Sequence, residues 1–340
     1  MTKILIPGGA GFIGSHTAVA LHENGYTPVI IDNFSNSEKS VLDGIQKICD
    51  KKFPCYEGDC CDPVFLNKVF DSEKSIKGVI HFAAYKSVNE SMDNPQKYYA
   101  NNLGSLTTLL GVMLEWGVSD LVFSSSCTVY GSPDQSPIDE NAPFKETPSP
   151  YGKTKQICEN ILNDIVERKT KIKGVVLRYF NPIGAHPSAE IGELPIGIPN
   201  NLVPFITQTA CGIREQLTVF GDDYSTDDGT CVRDYIHVVD LANAHVKAFE
   251  YLKHIDQEYC LEQFNIGTGT GHSVLEVVRT FEKVNNVNLN YSIGPRRDGD
   301  VESVYANTQK ANTFMNWKAQ LTIEQALEDA WRWQQKLIKH

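Results

Sequence analysis

Tyr151 and Lys155 stand four residues apart in Tyr151-Gly152-Lys153-Thr154-Lys155, directly after an acidic, proline-rich run from Ser136 to Pro150. Helical spacing puts such a pair on one face, so the ammonium can sit beside the phenol. A positive charge there favours the phenolate and brings a group that ordinarily titrates near pH ~10 toward use as a general base. Taken alone, Tyr-x-x-x-Lys equally describes two side chains on a solvated helix, and the rest of the chain has to decide. Ser126 is a candidate partner for the proton: it is the last of three serines that abruptly end the apolar run Leu121-Val122-Phe123. In open parallel sheets ligands bind beyond the carboxyl ends of strands, where such a serine would lie. Its plainer role is to cap the following turn.

The elements that must position these residues read as alternating strands and helices. Lys3-Ile4-Leu5-Ile6-Pro7 suits a buried strand and runs into Gly8-Gly9-Ala10-Gly11-Phe12-Ile13-Gly14-Ser15-His16, then the helical Thr17-Ala18-Val19-Ala20-Leu21. Glycines at 8, 11 and 14 allow a tight turn, approach of a pyrophosphate to backbone N–H groups, and close helix-strand packing. A second strand, Pro28-Val29-Ile30-Ile31, ends on Asp32, close to the ~20-residue offset at which an acid meets the adenosine ribose hydroxyls. A carboxylate there repels a 2′-phosphate, which predicts NAD rather than NADP. Cys55 to Asp59 reads as a third strand, with Asp59 either near an adenine or serving as a helix N-cap. Val79-Ile80-His81-Phe82-Ala83-Ala84 is a buried strand in which His81 reads as a packed core histidine. A long helix spans Tyr98 to Trp116, Tyr151 opens another, and Gly174 to Phe180 is the next strand. This alternation predicts a doubly wound parallel sheet.

After Asn181-Pro182 the chain turns to glycine-, proline- and asparagine-rich loops and short helices, predicting a smaller, mixed α/β substrate domain at the sheet edge. A helix runs from the Arg233-to-Asp240 region through Tyr251, and Gln263 to Gly267 reads as a strand returning to the main sheet. The predicted division is residues 1–180 with about 234–268 for the dinucleotide-binding domain, and 181–233 with 269–340 for the other. A last helix from about Thr322 carries Trp331 and Trp333, with no further fused domain expected beyond it.

Composition narrows the partners. The 340 residues carry 31 basic and 42 acidic side chains, a net charge of −11, which argues against nucleic-acid and anionic-membrane partners. Nine scattered cysteines without CxxC or zinc spacing predict reduced thiols and no metal site. No apolar run approaches a membrane span and the start reads straight into a strand, so a cytoplasmic protein is expected.

Together these residues resemble the extended short-chain dehydrogenase/reductases, and within them the UDP-glucose 4-epimerase family. The matching stretches are Gly8 to His16, Asp32-Asn33, Gly58-Asp59, His81-Phe82-Ala83, Ser124 to Ser126, Thr128 to Gly131 and Ser149 to Lys153. They continue with Leu177 to Pro182, Gly184 to Ser188, Ile198 to Leu202, Gly229-Thr230, Val232 to His237, Arg296-Arg297 and Gly299-Asp300. The runs Asn181 to Ser188 and Asp228 to His237 are the most specific. The resemblance implies an isomerase that inverts C4 of a UDP-hexose, UDP-galactose to UDP-glucose, with NAD held tightly and regenerated in each turnover. Tyr151 would take the O4–H proton while hydride leaves C4, and the 4-keto sugar would turn over and receive hydride on its other face. Lys155 would hold the nicotinamide ribose and, with the nicotinamide charge, lower the Tyr151 pKa; Ser126 would bridge O4 and the phenol.

The same resemblance implies cofactor contacts at Gly8, Gly11, Phe12, Ile13, Gly14, Asp32, Asn33, Asn36, Ser37, Asp59, Cys60, Phe82, Lys86, Asn101, Tyr151, Lys155 and Tyr179. On the sugar-nucleotide side it implies Asn181 and Asn201 at diphosphate or sugar oxygens, and Val219 and Phe220 at the uracil. Arg233 and Arg297 would neutralise the diphosphate, and Asp300 would accept from the uridine ribose. It also implies a homodimer through helices near 95–115 and 152–168. Two positions depart from the pattern: Cys127 replaces Ala or Ser, and Val304 stands where several epimerases carry a tyrosine crowding the sugar 2-position. The smaller Val304 predicts turnover of UDP-N-acetylhexosamines as well. A 4,6-dehydratase would need an Asp-Glu pair where Cys127 and Thr128 stand, and a decarboxylase a Glu at 128. Intact Ser126, Tyr151 and Lys155 argue against a non-catalytic dinucleotide sensor.

Overall fold

Ile4-Leu5-Ile6 is apolar at every position because both faces of its strand are covered. Ile4 and Ile6 enter one core with Ala18, Leu241 and Phe249, while Leu5 enters a second with Leu106, Leu109 and Leu162. The computed structural model describes residues 1–297 and 299–339. In chain order the first part comprises β1 (Lys3–Pro7), α1 (Phe12–Glu23), β2 (Thr27–Asp32), α2 (Ser40–Cys49), β3 (Cys55–Glu57), α3 (Pro63–Glu73) and β4 (Ile76–His81). Then follow α4 (Val88–Asp93), α5 (Pro95–Glu115), β5 (Asp120–Ser124), α6 (Pro150–Glu167) and β6 (Lys173–Tyr179). The remainder is β7 (Asn181–Ile183), α7 (Leu202–Ala210), β8 (Leu217–Phe220), β9 (Val232–Arg233), β10 (Tyr235–His237), α8 (Val238–Leu252) and β11 (Cys260–Ile266). It ends with β12 (His272–Ser273), α9 (Val274–Asn285), β13 (Tyr291–Gly294), β14 (Ser303–Val304), α10 (Gln309–Phe314) and α11 (Ile323–Leu337).

The main sheet has seven strands in the order β11-β6-β5-β4-β1-β2-β3, and every pairing is parallel. The chain runs outward from β1 in one direction and then restarts at β4 in the other. That reversal opens a crevice at the carboxyl ends of β1 and β4, where ligands of doubly wound sheets bind. Helices α1 and α8 cover one face, and α3, α5 and α6 the other. The Gln263-to-Gly267 segment does rejoin this sheet, as β11 paired along the whole length of β6.

The region after Asn181 is more regular than its composition suggests. Helices α7, α9 and α11 with β8 and β10 enclose a third core of Val203, Ile206, Val219, Val277, Phe281 and Leu327. Its glycines, prolines and asparagines lie mostly in connections. Helices α9 and α11 each open with a reciprocal capping box, Ser273 with Glu276 and Thr322 with Gln325. The buried Asp234 carboxylate ties the parts together by accepting from Thr268 N, Gly269 N and Ala306 N. A Cβ on Gly267 would lie 2.3 Å from that carboxylate, so the close approach requires glycine. Among the described residues no helix is long and apolar enough to cross a membrane.

Candidate active site

The glycine turn meets the ends of its neighbours by direct backbone contact. Gly8 has φ +78°, and a Cβ there would lie 2.7 Å from Ala83 N, two residues past the end of β4. A Cβ on Gly14 would lie 2.3 Å from Gly8 O, so helix α1 can approach the turn only as glycine. Gly11 is the α1 N-cap without a side-chain hydrogen bond, leaving the N–H groups of its first turn for an anion. At the end of β2, Asp32 accepts from Ala10 N (3.0 Å), Phe34 N (2.9 Å) and Ser37 Oγ (2.9 Å). One carboxylate thus fixes both the glycine turn and the Asn33-to-Ser37 loop, with Asn33 and Asn36 exposed beside it. This cradle fits a dinucleotide: close backbone, an uncapped helix end with Phe12 and Ile13 in its first turn, and an acid at the neighbouring strand end. Asp59 takes neither the strand end nor the helix cap. The strand stops at Glu57, Asp59 accepts from Cys61 N (2.8 Å), and Asp62 caps α3 through Val64 N (2.8 Å). Cys60 beside it is buried, and burial pushes its thiol up.

Tyr151, Lys155, Ser126 and Tyr179 converge at the carboxyl ends of β5 and β6. Ser149 starts α6, its Oγ accepting from Gly152 N (3.2 Å), and Pro150 occupies the first turn, so Tyr151 enters the helix already oriented. Tyr151 and Lys155 are both buried, at 8% and 4% exposure, which excludes the solvated-helix reading. Lys155 Nζ donates to Ser124 O (2.7 Å), and the Ser124 hydroxyl pairs with Tyr179 OH (2.7 Å). Ser126 caps the short turn Cys127–Tyr130 by accepting from Thr128 N (3.2 Å), and its hydroxyl also lies by the Tyr151 phenol.

The electrostatics of the pair are governed by burial. Burial pushes the Tyr151 phenol well above its usual range, Tyr179 adds to this, and Ser126 pulls it back. Lys155, 6.0 Å from the Tyr151 ring centre, is itself pushed down to about 8 by burial, with Cys158 and Glu159 raising it. Burial is thus the largest influence on both groups, raising the phenol and lowering the ammonium.

The remaining predicted residues fall into two groups. Arg297 donates to Asp300 (2.7 Å), Arg233 lies 3.7 Å from the same carboxylate, and Arg297 sits 5.8 Å from the Phe220 ring centre. Phe220 is 43% exposed, whereas Val219 is packed in the third core and offers a ligand only its backbone. Lys86 is engaged in an ion pair with Glu193 (3.1 Å), and Asn201 donates to the same oxygen (2.6 Å). Asn101 donates to Asn102 (3.0 Å), Phe82 packs 4.7 Å from His245, and Asn181 holds Asp234 O through its backbone N–H. Val304 is buried beside Val129, Tyr130 and Phe180. Sequence reasoning passed over Ser124, Thr128 and Glu193. Ser124 was visible as part of the serine run; Thr128 Oγ1 is buried without a partner among the described residues. Glu193 lay in a glycine- and proline-rich loop and carried no local signal.

Fold and site together define an enzyme of the extended short-chain dehydrogenase/reductase class. A family model described as GDP-mannose 4,6 dehydratase matches residues 5–330. The UDP-glucose 4-epimerase of Bacillus subtilis (strain 168) is 49% identical over 97% of this chain and 96% of its own length. A solved UDP-glucose-4-epimerase from Stenotrophomonas maltophila, with bound NAD and formylated UDP-arabinopyranose, has a TM-score of 0.96 at 43% identity, covering 100% of this chain and 99% of that one. That from Bifidobacterium longum, in complex with NAD+ and UDP, has a TM-score of 0.93 at 45% identity, covering 98% of each chain. The chain belongs to the UDP-glucose 4-epimerase family of NAD-dependent isomerases, within the larger group that the family model describes.

Proposed function

We propose that this protein interconverts UDP-galactose and UDP-glucose by inverting C4 through a 4-keto sugar, a reaction of galactose metabolism. The observation that carries the reading is the convergence of buried Ser126, Tyr151 and Lys155 on strand ends adjoining the glycine turn. When bound, NAD supplies the hydride acceptor and donor for C4 and, oxidised, a positive charge beside the phenol. The turn from Gly8 to Gly14 would hold its pyrophosphate, Asp32 and Asn33 its adenosine ribose, and Asp59 with Cys60 its adenine. Lys155 orients the cofactor ribose. Tyr151 moves the O4 proton: as a neutral phenol it donates to the 4-keto oxygen as that oxygen gains negative charge, and added positive charge favours the phenolate that takes the proton in the opposite direction. Ser126 lies between O4 and the phenol and shortens that transfer.

Arg233 and Arg297 neutralise the diphosphate, exchanging Asp300 for phosphate oxygens that suit the guanidinium fork better. Gathering two arginines answers how a protein of net charge −11 holds a dianion. Residues 1–180 with about 234–268 form the dinucleotide-binding domain, and 181–233 with 269–340 the nucleotide-sugar domain. A cytoplasmic homodimer through α5 and α6 completes the reading. Dehydration and decarboxylation are disfavoured because Cys127 and Thr128 supply no carboxylic acid.

The test is to purify the protein, measure co-purified NAD, and incubate it with UDP-galactose without added cofactor. UDP-glucose is expected. A folded, NAD-loaded protein that leaves UDP-galactose unchanged refutes the reading. Val304 favours a second activity on UDP-N-acetylhexosamines, because its short side chain leaves the sugar 2-position uncrowded.

A further inference from the structure

The three serines after β5 face different partners. Ser124 meets Lys155 through its carbonyl and Tyr179 through its hydroxyl, while the Ser126 hydroxyl accepts from Thr128 N and lies by the Tyr151 phenol. Ser125 between them is fully buried, its backbone N–H on Leu177 O (2.9 Å), and its hydroxyl donates to Glu159 Oε1 (2.6 Å). Glu159 lies on α6 one turn beyond Lys155 and two beyond Tyr151, and is 1% exposed. Its carboxylate takes Arg178 Nε (3.1 Å to each oxygen) and Nη2 (2.7 Å) in a fork. The other arm of Arg178, Nη1, donates to Tyr130 OH (3.0 Å) and to Glu140 O (3.2 Å). Tyr130 ends the short turn that Ser126 caps.

Ser126 is therefore gripped on both sides along the chain. Ser125 before it is bound to Glu159, Tyr130 after it is bound to Arg178, and these two grips are joined by one buried ion pair. We propose that the Glu159–Arg178 pair, acting through Ser125 and Tyr130, is a positioning device that holds Ser126 in register with Tyr151 and Lys155. The proposal rests on the roles of Ser126 and Tyr151 given above. A buried ion pair adds little net stability over apolar packing, so stability alone does not account for this one. Its arrangement does: apart from the bond to Glu140 O, each charge-assisted bond ends on α6, which carries Tyr151 and Lys155, or on the segment from Ser125 to Tyr130 that contains Ser126. A hydroxyl that must meet both a sugar oxygen and a phenol tolerates little displacement, since misplacement by ~1 Å can cost on the order of 100-fold in rate.

Glu159→Gln leaves Arg178 buried without its counter-charge and is prone to misfold, so the test uses gentler changes. Ser125→Ala removes one hydroxyl and keeps the pair; Arg178→Lys keeps the charge and loses the fork and the bond to Tyr130. Each is made in the NAD-loaded enzyme, and Ser125→Ala is also made in a Ser126→Ala background. Bound NAD, melting temperature, kcat and KM for UDP-galactose are measured. The expected result is a kcat lowered about tenfold by Ser125→Ala and further by Arg178→Lys, with KM within about twofold and NAD content unchanged. In the Ser126→Ala background, Ser125→Ala should cost no more than about twofold in kcat, because its effect passes through the missing hydroxyl. An unchanged kcat in Ser125→Ala, or an equal loss in both backgrounds, overturns the proposal while leaving the epimerase reading intact. A wild-type enzyme that does not turn over UDP-galactose would instead remove the reading on which it rests.

Discussion

Among single residues, Tyr151 carries the greatest chemical demand. It is buried, with its phenol pushed up by desolvation, and in the proposed reaction it would both give and take the O4 proton. Removing the hydroxyl while keeping the ring should leave packing and cofactor binding intact. Tyr151→Phe is expected to lower kcat by about 100- to 10,000-fold, the usual worth of a positioned acid/base, with bound NAD unchanged by absorbance. Val304 makes a prediction of a different kind. It is packed against Phe180 and Val129, and on the proposed reading a larger side chain at 304 would crowd the sugar 2-position. Val304→Tyr should abolish turnover of UDP-N-acetylgalactosamine and retain that of UDP-galactose. Failure of the wild-type enzyme to act on any N-acetylated substrate would remove the second activity from the proposal.

For the elements, the junction of β1 and α1 shows how little freedom the cofactor cradle has. The absent Cβ of Gly14 leaves space taken up by Gly8 O and Gly9 Cα, both backbone atoms that cannot turn aside. Gly14→Ala must therefore push α1 away from the turn, at an overpacking cost of about 1–3 kcal/mol. The N-terminal N–H groups of α1 move with it. Loss of co-purified NAD and a lower melting temperature are both expected; full NAD occupancy in a folded Gly14→Ala enzyme would contradict the assigned cradle. Helix α11 tests the smaller unit instead. Thr322 caps it reciprocally with Gln325, and Thr322→Ala should destabilise by about 1 kcal/mol without changing kcat.

Over the whole molecule, buried imidazoles dominate the response to acid. Burial pushes His16 and His81 down to about 3, and His237 and His245 down to about 4. Each is neutral in the folded protein where an unfolded histidine, at about 6.5, already binds a proton. Between pH 6.5 and the folded values the unfolded state holds more protons, so stability rises with pH and is lost on acidification. From pH 6.5 to 5 each histidine contributes a loss of about 2 kcal/mol at most. Asp234, Asp240 and Glu140, whose carboxyls burial raises, act in the opposite sense and soften the fall. Urea denaturation at pH 7, 6 and 5 should show a midpoint that drops steadily. A midpoint independent of pH over that range would mean that these imidazoles are not buried neutral.

What could be read along the chain was whatever short-range spacing encodes. Alternating runs gave the parallel sheet, the spacing of Gly8, Gly11 and Gly14 gave the turn, and a separation of four positions between Tyr151 and Lys155 gave a shared helix face. Those are properties of neighbouring residues and of backbone geometry. Partners distant in sequence were not legible. Lys155 meets a carbonyl 31 residues away at Ser124, Lys86 meets Glu193 107 residues on, and Arg178 joins Glu159 to Tyr130. The same limit explains the Tyr151 phenol. Spacing placed a positive charge within reach, but the burial that pushes the phenol up comes from elements that meet only in the folded chain. The sequence by itself determined which groups could do chemistry and on which faces they lie. Tertiary structure decided how far water is excluded from them and which partners hold them, because burial and long-range contacts arise only when distant segments pack together.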